Sequence, residues 1–374
     1  MIFFKKCLIL ITVVISLIII WKLIMIRINL KKDVEGFFDT PDSEYYYNQS
    51  SLQISLSNSN KNLHKLHLRE ICIKSSYNSA CSGNFITKKM LNYVINRGVR
   101  YLDLEILYVP MTPDSKTYIP VVCKTSDPTF IQLDTDWLSL DEVLINITST
   151  AFTSPCPNYN DPLFINLRVK SNNSNVYSAI ATSLDHTIKQ KIYNDPNDAS
   201  SQIYVNNQSF YKAKPVTKDT LFGDILGKII ISFDKTIFLN YRNYSFTCNN
   251  NSNSNSCYDL KNYINIENGS ETLNLINNYS LISQKPLLMI KDDNLTTNVT
   301  TLTCVNPDIL SKTNPSYSDY ILKYGGCQIV PFRFYLNDDN LAGYESFFNV
   351  NNSSFVPLSL TISYYLNQGN QGSP

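Results

Sequence analysis

The sequence predicts an α/β protein: a distorted (β/α)8 TIM-like barrel preceded by an N-terminal transmembrane helix. Three observations predict it. Short apolar runs alternate with helical patterns from Leu63 onward, the signature of a parallel sheet with crossover helices. Eight such runs fall within about 300 residues, which suits a (β/α)8 barrel of about 250 residues. A long apolar run opens the chain, from Cys7 to Trp21 and on through Leu23–Ile26 to Leu30.

That opening run is flanked by Lys5, Lys6, Lys31 and Lys32 and interrupted by Lys22 and Arg27. About 20 apolar residues span a bilayer, and long cationic side chains can snorkel to its surface. No small-x-small cleavage site follows, so an anchor over residues 1–30 is expected over the alternative of a cleaved signal peptide. The expected localisation is a single-pass membrane protein with the barrel lumenal or extracellular. Cations on both sides leave the orientation open. Residues 31–62 read as a polar stalk, 63–360 as the barrel and 361–374 as a flexible tail.

The apolar runs lie at 70–74, 100–108, 119–124, 163–169, 228–233, 286–291, 327–335 and 355–360. Between them, Ile86, Met90 and Val94 recur at helical spacing before a stop at Gly98, and Leu140, Val143, Leu144 and Ile147 do the same. Residues 316–324 and 339–348 read as two more helices. An open doubly wound sheet is the alternative, but no Gly-rich phosphate loop follows the first strand. Pro331 is awkward inside a strand and marks a bulge or a strand end.

The charge balance, 32 basic against 31 acidic residues, offers no basic stripe for nucleic acid. Apart from Cys7, eight cysteines remain, an even number that permits disulfides in an oxidising compartment. Cys248 and Cys257 bracket an Asn/Ser run and are expected to pair. Sequons at Asn48, Asn146, Asn207, Asn243, Asn268, Asn294 and Asn298 suggest a glycoprotein. Asn146 lies in a helical pattern and is not expected to carry a glycan.

Strand alternation places the polar residues. In the second run, Leu102, Leu104 and Ile106 share one face and Asp103 and Glu105 the other. In the fourth, Leu163, Ile165 and Leu167 oppose Asn166 and Arg168. In a barrel the apolar face meets the helices, so the polar side chains point inward, where unpaired acids are expensive. Lys124 ends the third run. A cluster of Asn78, Asp103, Glu105, Lys124 and Arg168 at the barrel mouth follows, where barrel sites lie.

Two stretches carry a family resemblance. Ile71-Cys72-Ile73-Lys74-Ser75-Ser76-Tyr77-Asn78-Ser79 and Arg100-Tyr101-Leu102-Asp103-Leu104-Glu105-Ile106 resemble the opening of the X half of phosphatidylinositol-specific phospholipase C and related phosphodiesterases. That half has a strand ending in Ser-Ser-His-Asn-Thr, a helix, then a strand with Glu-Leu-Asp. Asp141–Phe152, Leu163–Leu167, Leu221–Ile231, Gly326–Val330 and Tyr344–Val356 resemble further family segments in order, including those of large DNA viruses, which would place the barrel on a virion or host membrane.

The resemblance implies a phosphoric diester hydrolase fold acting in lipid metabolism, and it implies site residues. Tyr77 and Lys124 stand at the two catalytic histidine positions. With Arg168 they form the candidate catalytic set, and Lys124 and Arg168 the candidate substrate-binding set. Asn78, Asp103 and Glu105 match calcium-ligand positions, and the fourth ligand position holds Arg168. Calcium is thus implied by the family, yet a guanidinium there would replace its charge and no cofactor is expected. Acid–base work near neutral pH needs a group that exchanges protons there, and Tyr and Lys ordinarily titrate near about 10. His64, His67 and His186 lie elsewhere in the pattern. The expected function is a membrane-anchored, catalytically degenerate member acting as a binding or structural surface protein, with a phosphate-bearing lipid or sugar as the ligand it could take. Alternatives are an active phosphodiesterase with an altered mechanism and an unrelated membrane glycoprotein.

Overall fold

The computed structural model describes residues 16–18, 20–22, 52–83, 85–112, 114–125, 137–195, 202–205, 208–243, 258–276, 301–307, 311–322 and 326–371. The Cys248–Cys257 pair, the 286–291 run and the sequons at Asn48, Asn207, Asn294 and Asn298 lie outside these residues.

Seven strands run parallel in chain order. They are β2 (Ser75–Ser76), β3 (Tyr101–Pro110), β6 (Leu163–Val169), β9 (Ile229–Asp234), β10 (Ile266–Asn268), β11 (Leu273–Ile276) and β12 (Leu302–Val305). This order has no reversal, unlike a doubly wound sheet. β1 (Ile71–Ile73) precedes β2 and pairs antiparallel with β13 (Phe355–Pro357). No ladder among the described residues joins β12 to β2. The segment around Pro331 lies between them through single parallel bridges: Ile329 to Cys304 and to Ile73, and Phe332 to Ser76. The 327–335 run is therefore not a regular strand, because proline has no N–H to give a ladder. The arrangement is TIM-barrel-like.

The third apolar run departs from expectation. β3 is ten residues long. Tyr101–Ile106 pair with β6, while Ile106–Pro110 run on to form an antiparallel arm with β4 (Tyr118–Val122). β4 then pairs antiparallel with β5 (Leu138–Ser139). An apolar run does not state its polarity, so this arm was read as a parallel barrel strand. β7 (Gln202–Val205) and β8 (Gln208–Tyr211) form a separate antiparallel pair.

Six helices of the described chain pack around these strands. They are α1 (Lys88–Asn96), α2 (Leu140–Ala151), α3 (Asn175–Thr187), α4 (Tyr317–Leu322), α5 (Asp339–Val350) and α6 (Leu358–Gln371). α1 starts at Thr87, whose side chain accepts from the Met90 N–H. α2 starts with a Ser139–Glu142 capping box, a device worth about 1 kcal/mol. Met90, Val94, Val143, Leu144 and Ile147 bury against Leu102, Leu104, Ile165 and Leu167. A second cluster inside the strands, including Ile73, Tyr101, Phe164, Ile230 and Cys304, is joined by Leu63, Leu68 and Phe222.

Three boundary expectations are corrected. Among the described residues no helix is long and apolar enough to cross a membrane, which overturns the single-pass localisation. Of the opening run, residues 16–18 and 20–22 are described, as helix. Residues 361–371 continue α6, with Thr361 and Ile362 fully buried, so they are not a loose tail. Residues 52–59, expected in the stalk, are strapped to the domain. Ser55 Oγ donates to the Asn349 carbonyl at 2.8 Å, the Ser57 N–H to Asn352 O at 3.1 Å and the Ser59 N–H to Asp161 Oδ1 at 2.8 Å. Leu56 seats in the room left by Gly98, where a Cβ would meet Leu56 Cδ1 at 2.2 Å. Gly98 also has φ +78, a conformation costing other residues about 1–2 kcal/mol. Gly98→Ala is expected to lower stability by about 2 kcal/mol or more. Chemical denaturation of Gly98→Ala, Leu56→Ala and the double variant checks it. The double variant should lose less than the two singles combined, since one clash is removed with Leu56.

Candidate functional site

The inward alternation of β3 and β6 builds the site. Asp103↔Asn166 and Glu105↔Arg168 are directly paired across the two strands, so their side chains leave the same face as neighbours. Arg168 Nε donates to Asp103 Oδ1 at 2.8 Å, and Nη2 donates to Asp103 Oδ2 at 2.9 Å and Glu105 Oε2 at 3.2 Å. Nη2 also donates to Asn78 Oδ1. Asn78 follows β2 with φ 45. That turn aims its N–H at Asp103 Oδ2, 3.1 Å away. Asp103 is fully buried, and Glu105, Arg168 and Asn78 nearly so.

The remaining oxygens are also taken. Asn166 Nδ2 donates to Asp103 Oδ1 at 2.8 Å. Asn268 Nδ2 donates to Asn166 Oδ1 at 2.8 Å, and Ser232 Oγ to Asn268 Oδ1 at 2.7 Å. A hydrogen-bonded row thus crosses β9, β10, β6 and β3. The Thr125 N–H donates to Glu105 Oε1 at 2.9 Å, and the Thr125 hydroxyl donates to the same oxygen. Such complete satisfaction is what a buried polar cluster requires.

Tyr77 lies against this cluster. The Arg168 guanidinium carbon is 4.5 Å from the Tyr77 ring centroid, and that of Arg333 is 5.7 Å away. Burial pushes the Tyr77 phenol well above its ordinary value; Arg168 opposes this, while Glu105 and Asp103 add to it. Burial works against the Arg168 charge, but Asp103, Tyr77 and Glu105 outweigh it and hold the guanidinium more firmly protonated than usual.

The structure brings together Tyr77, Asn78, Asp103, Glu105 and Arg168. It does not bring Lys124 into their contacts. Lys124 follows the antiparallel arm, is half-buried, and donates to the Gly83 carbonyl at 3.3 Å. Thr125 turns to Glu105 instead, since consecutive side chains of extended backbone point opposite ways. The histidines sit apart: the His64 ring packs near Phe222, and His186 contacts Tyr258.

Sequence reasoning missed Asp234, Asn268 and Thr125. Asp234 ends β9, is buried, and accepts from the Thr236 N–H at 2.9 Å and the Thr236 hydroxyl at 2.5 Å. Burial pushes its carboxyl up, Thr236 and Arg168 pull it down, and Asp103 pushes it up again. Its signal was the inward alternation Ile230, Ser232, Asp234. Asn268 was read as a sequon; it is fully buried in the polar row, which rules out a glycan on the folded chain.

A calcium ion needs six to eight oxygen ligands around one point. Here the oxygens of Asn78, Asp103 and Glu105 that face one another all accept from Arg168. Among the described residues no group of three or more His, Cys, Asp or Glu could hold a metal ion. The donor set does not fit calcium with Arg168 in place.

No family model matches the chain, and no curated protein matches it. Solved structures do. The L. pealei PLC21 crystal structure aligns over 80% of this chain and 38% of that one, at 14% identity and a TM-score of 0.53. S. officinalis PLC21 aligns over 81% and 38%, at 15% identity and a TM-score of 0.54. A calcium-dependent phosphoinositol-specific phospholipase C from a Pseudomonas species aligns over 82% of this chain and all of that one, at 10% identity and a TM-score of 0.46. This chain thus spans well under half the length of the two PLC21 structures. It has the fold of phospholipase C-like phosphodiesterases, and identity this low speaks to fold alone.

Proposed function

We propose that this protein is a catalytically degenerate phospholipase C-like phosphodiesterase that binds a phosphate-bearing lipid or sugar without cleaving it. The observation that carries this reading is the Arg168 guanidinium bound at once by Asp103, Glu105 and Asn78. It supplies the positive charge that the family resemblance assigns to calcium, but offers no open coordination position for a substrate oxygen. Tyr77, at the first acid–base position, is buried with its phenol pushed up, which makes it a poor proton exchanger at neutral pH. Lys124, at the second, has one backbone acceptor and two further N–H donors for an anion.

One observation favours the second reading, an active phosphodiesterase with an altered mechanism. Asp234 is a buried acid beside Arg168 whose carboxyl is pushed up, as a general acid requires. One assay separates the two readings. The full chain is incubated with phosphatidylinositol and with glycerophosphodiesters, with and without calcium, and products are counted. No turnover is expected, together with inositol phosphate binding that weakens in Lys124→Ala. Turnover that is lost in Asp234→Asn would replace the first reading by the second.

A further inference from the structure

Arg100, just before β3, is fully buried. Its Nη2 donates to the Ala151 carbonyl at 3.0 Å, to Asn158 Oδ1 at 2.7 Å, to the Asn158 carbonyl and to Cys156 Sγ at 3.3 Å. These acceptors are all neutral. Nε and Nη1 are buried and have no acceptor among the described residues, so three N–H bonds of a cation are unmet there. Phe152 covers the guanidinium at 5.9 Å. The nearby acid, Asp161, gives one oxygen to the Ser59 N–H; its other oxygen is buried and takes no donor. A buried cation among neutral acceptors is costly and favours any anion formed beside it.

Cys156 is the group able to form one. It lies in the loop between α2 and β6, buried itself but directly after the exposed Thr153, Ser154 and Pro155. Its thiol also lies 3.7 Å from the Ile95 carbonyl and 3.4 Å from Asn158 Oδ1. Cys72, Cys304 and Cys327 are also free, but burial pushes Cys72 up to about 11 and the other two higher still. A thiol raised in this way is inert, whereas one beside a cation is the reactive kind.

We propose that Cys156 is a peroxide-oxidisable thiol whose oxyanion product is received by the unmet N–H groups of Arg100. The sulfur attacks one oxygen of hydrogen peroxide, and the O–O bond breaks as the S–O bond forms. The thiol proton goes to the departing hydroxide, which leaves as water. Sulfur loses two electrons and the peroxide gains them. The sulfenic acid releases its proton to give the sulfenate, and a second peroxide repeats the two-electron step to give the sulfinate. Each oxygen added brings an acceptor to the guanidinium.

The test treats the full chain with hydrogen peroxide, blocks the remaining thiols and maps peptides by mass. The expected result is a gain of two oxygens on the Cys156 peptide before any on those of Cys72, Cys304 or Cys327. Oxidation of those three first, or of all four together, would overturn the proposal. Cys156→Asp and Cys156→Asn probe the receiving cation separately. They match in shape and differ in charge, so a higher Tm for the Asp variant at neutral pH is expected. An equal or lower one would show that Arg100 does not take an anion there. If neither variant folds, the peroxide mapping on the unmodified chain decides.

Discussion

Arg168→Gln is expected to lower the stability of the protein by about 3–5 kcal/mol, and calcium is expected to restore part of it. Removing one partner of a buried ion pair costs about that much because the other charge is left uncompensated. Here two carboxylates, Asp103 and Glu105, lose their shared cation, while Asn166 and Thr125 still hold them in place. The vacated position is lined by oxygens of Asn78, Asp103 and Glu105, the ligand type a hard cation takes. A ligand at 100 times its Kd adds about 2.7 kcal/mol to a folded state. Thermal unfolding of wild type and variant across a calcium series is the measurement. The variant's Tm should climb with calcium and the wild type's should not. Equal gains in both would mean that Arg168 does not occupy the cation's place, and the degenerate reading would lose its main support.

That cluster was legible in the sequence because strand alternation is strict. Asp103 and Glu105 alternate with Leu102, Leu104 and Ile106, and Asn166 and Arg168 with Ile165 and Leu167. A period of two leaves them no other face once the apolar set packs on helices. Lys124 stands outside that cluster's contacts for a different reason. Hydrophobic pattern carries no strand direction, and nothing in the run 119–124 announces that β3 overshoots the sheet and turns back as an arm. Asp234 and Asn268 end or lie in short inward-facing series, where a single polar residue reads the same as a loop residue or a sequon. The strap at 52–59 is polar except for Leu52, Ile54 and Leu56. It holds on through backbone hydrogen bonds and one leucine in a socket that a glycine provides, and such fits depend on residues distant in sequence. The segment around Pro331 was flagged correctly as irregular, since a missing N–H is a local property of the residue.

The largest stability effect outside the site is expected at Glu345. This α5 residue is an acid partner shared by two buried cations, Arg97 and Lys74. It accepts from Arg97 Nε at 2.7 Å and Nη2 at 2.6 Å, and from Lys74 Nζ at 3.4 Å. Lys74 also donates to the Arg97 carbonyl at 2.6 Å, and Arg97 Nη1 to the Leu52 carbonyl at 3.1 Å. The triad thus ties α5 to the strand edge that carries Tyr77 and to the strap. Glu345→Gln keeps the shape and removes the charge, so a loss of about 3–5 kcal/mol is expected at pH 7.

Its pH dependence has a definite sign. Burial lowers Lys74 to about 8, against the pull of Glu345, which raises it. In the unfolded chain it titrates near about 10.4. The unfolded state therefore binds more protons between these values, and this group makes stability rise with pH across that window. Without Glu345 the folded value falls further and the window opens below 8. The deficit of Glu345→Gln should accordingly shrink as pH rises toward 8 and stay level above it. Tyrosines pushed up by burial act on both proteins alike and cancel in the difference. Urea unfolding of both proteins from pH 6 to about 9 reads this directly. A deficit that is small at pH 7, or that widens with rising pH, would show that Lys74 and Arg97 do not depend on Glu345 for their charge.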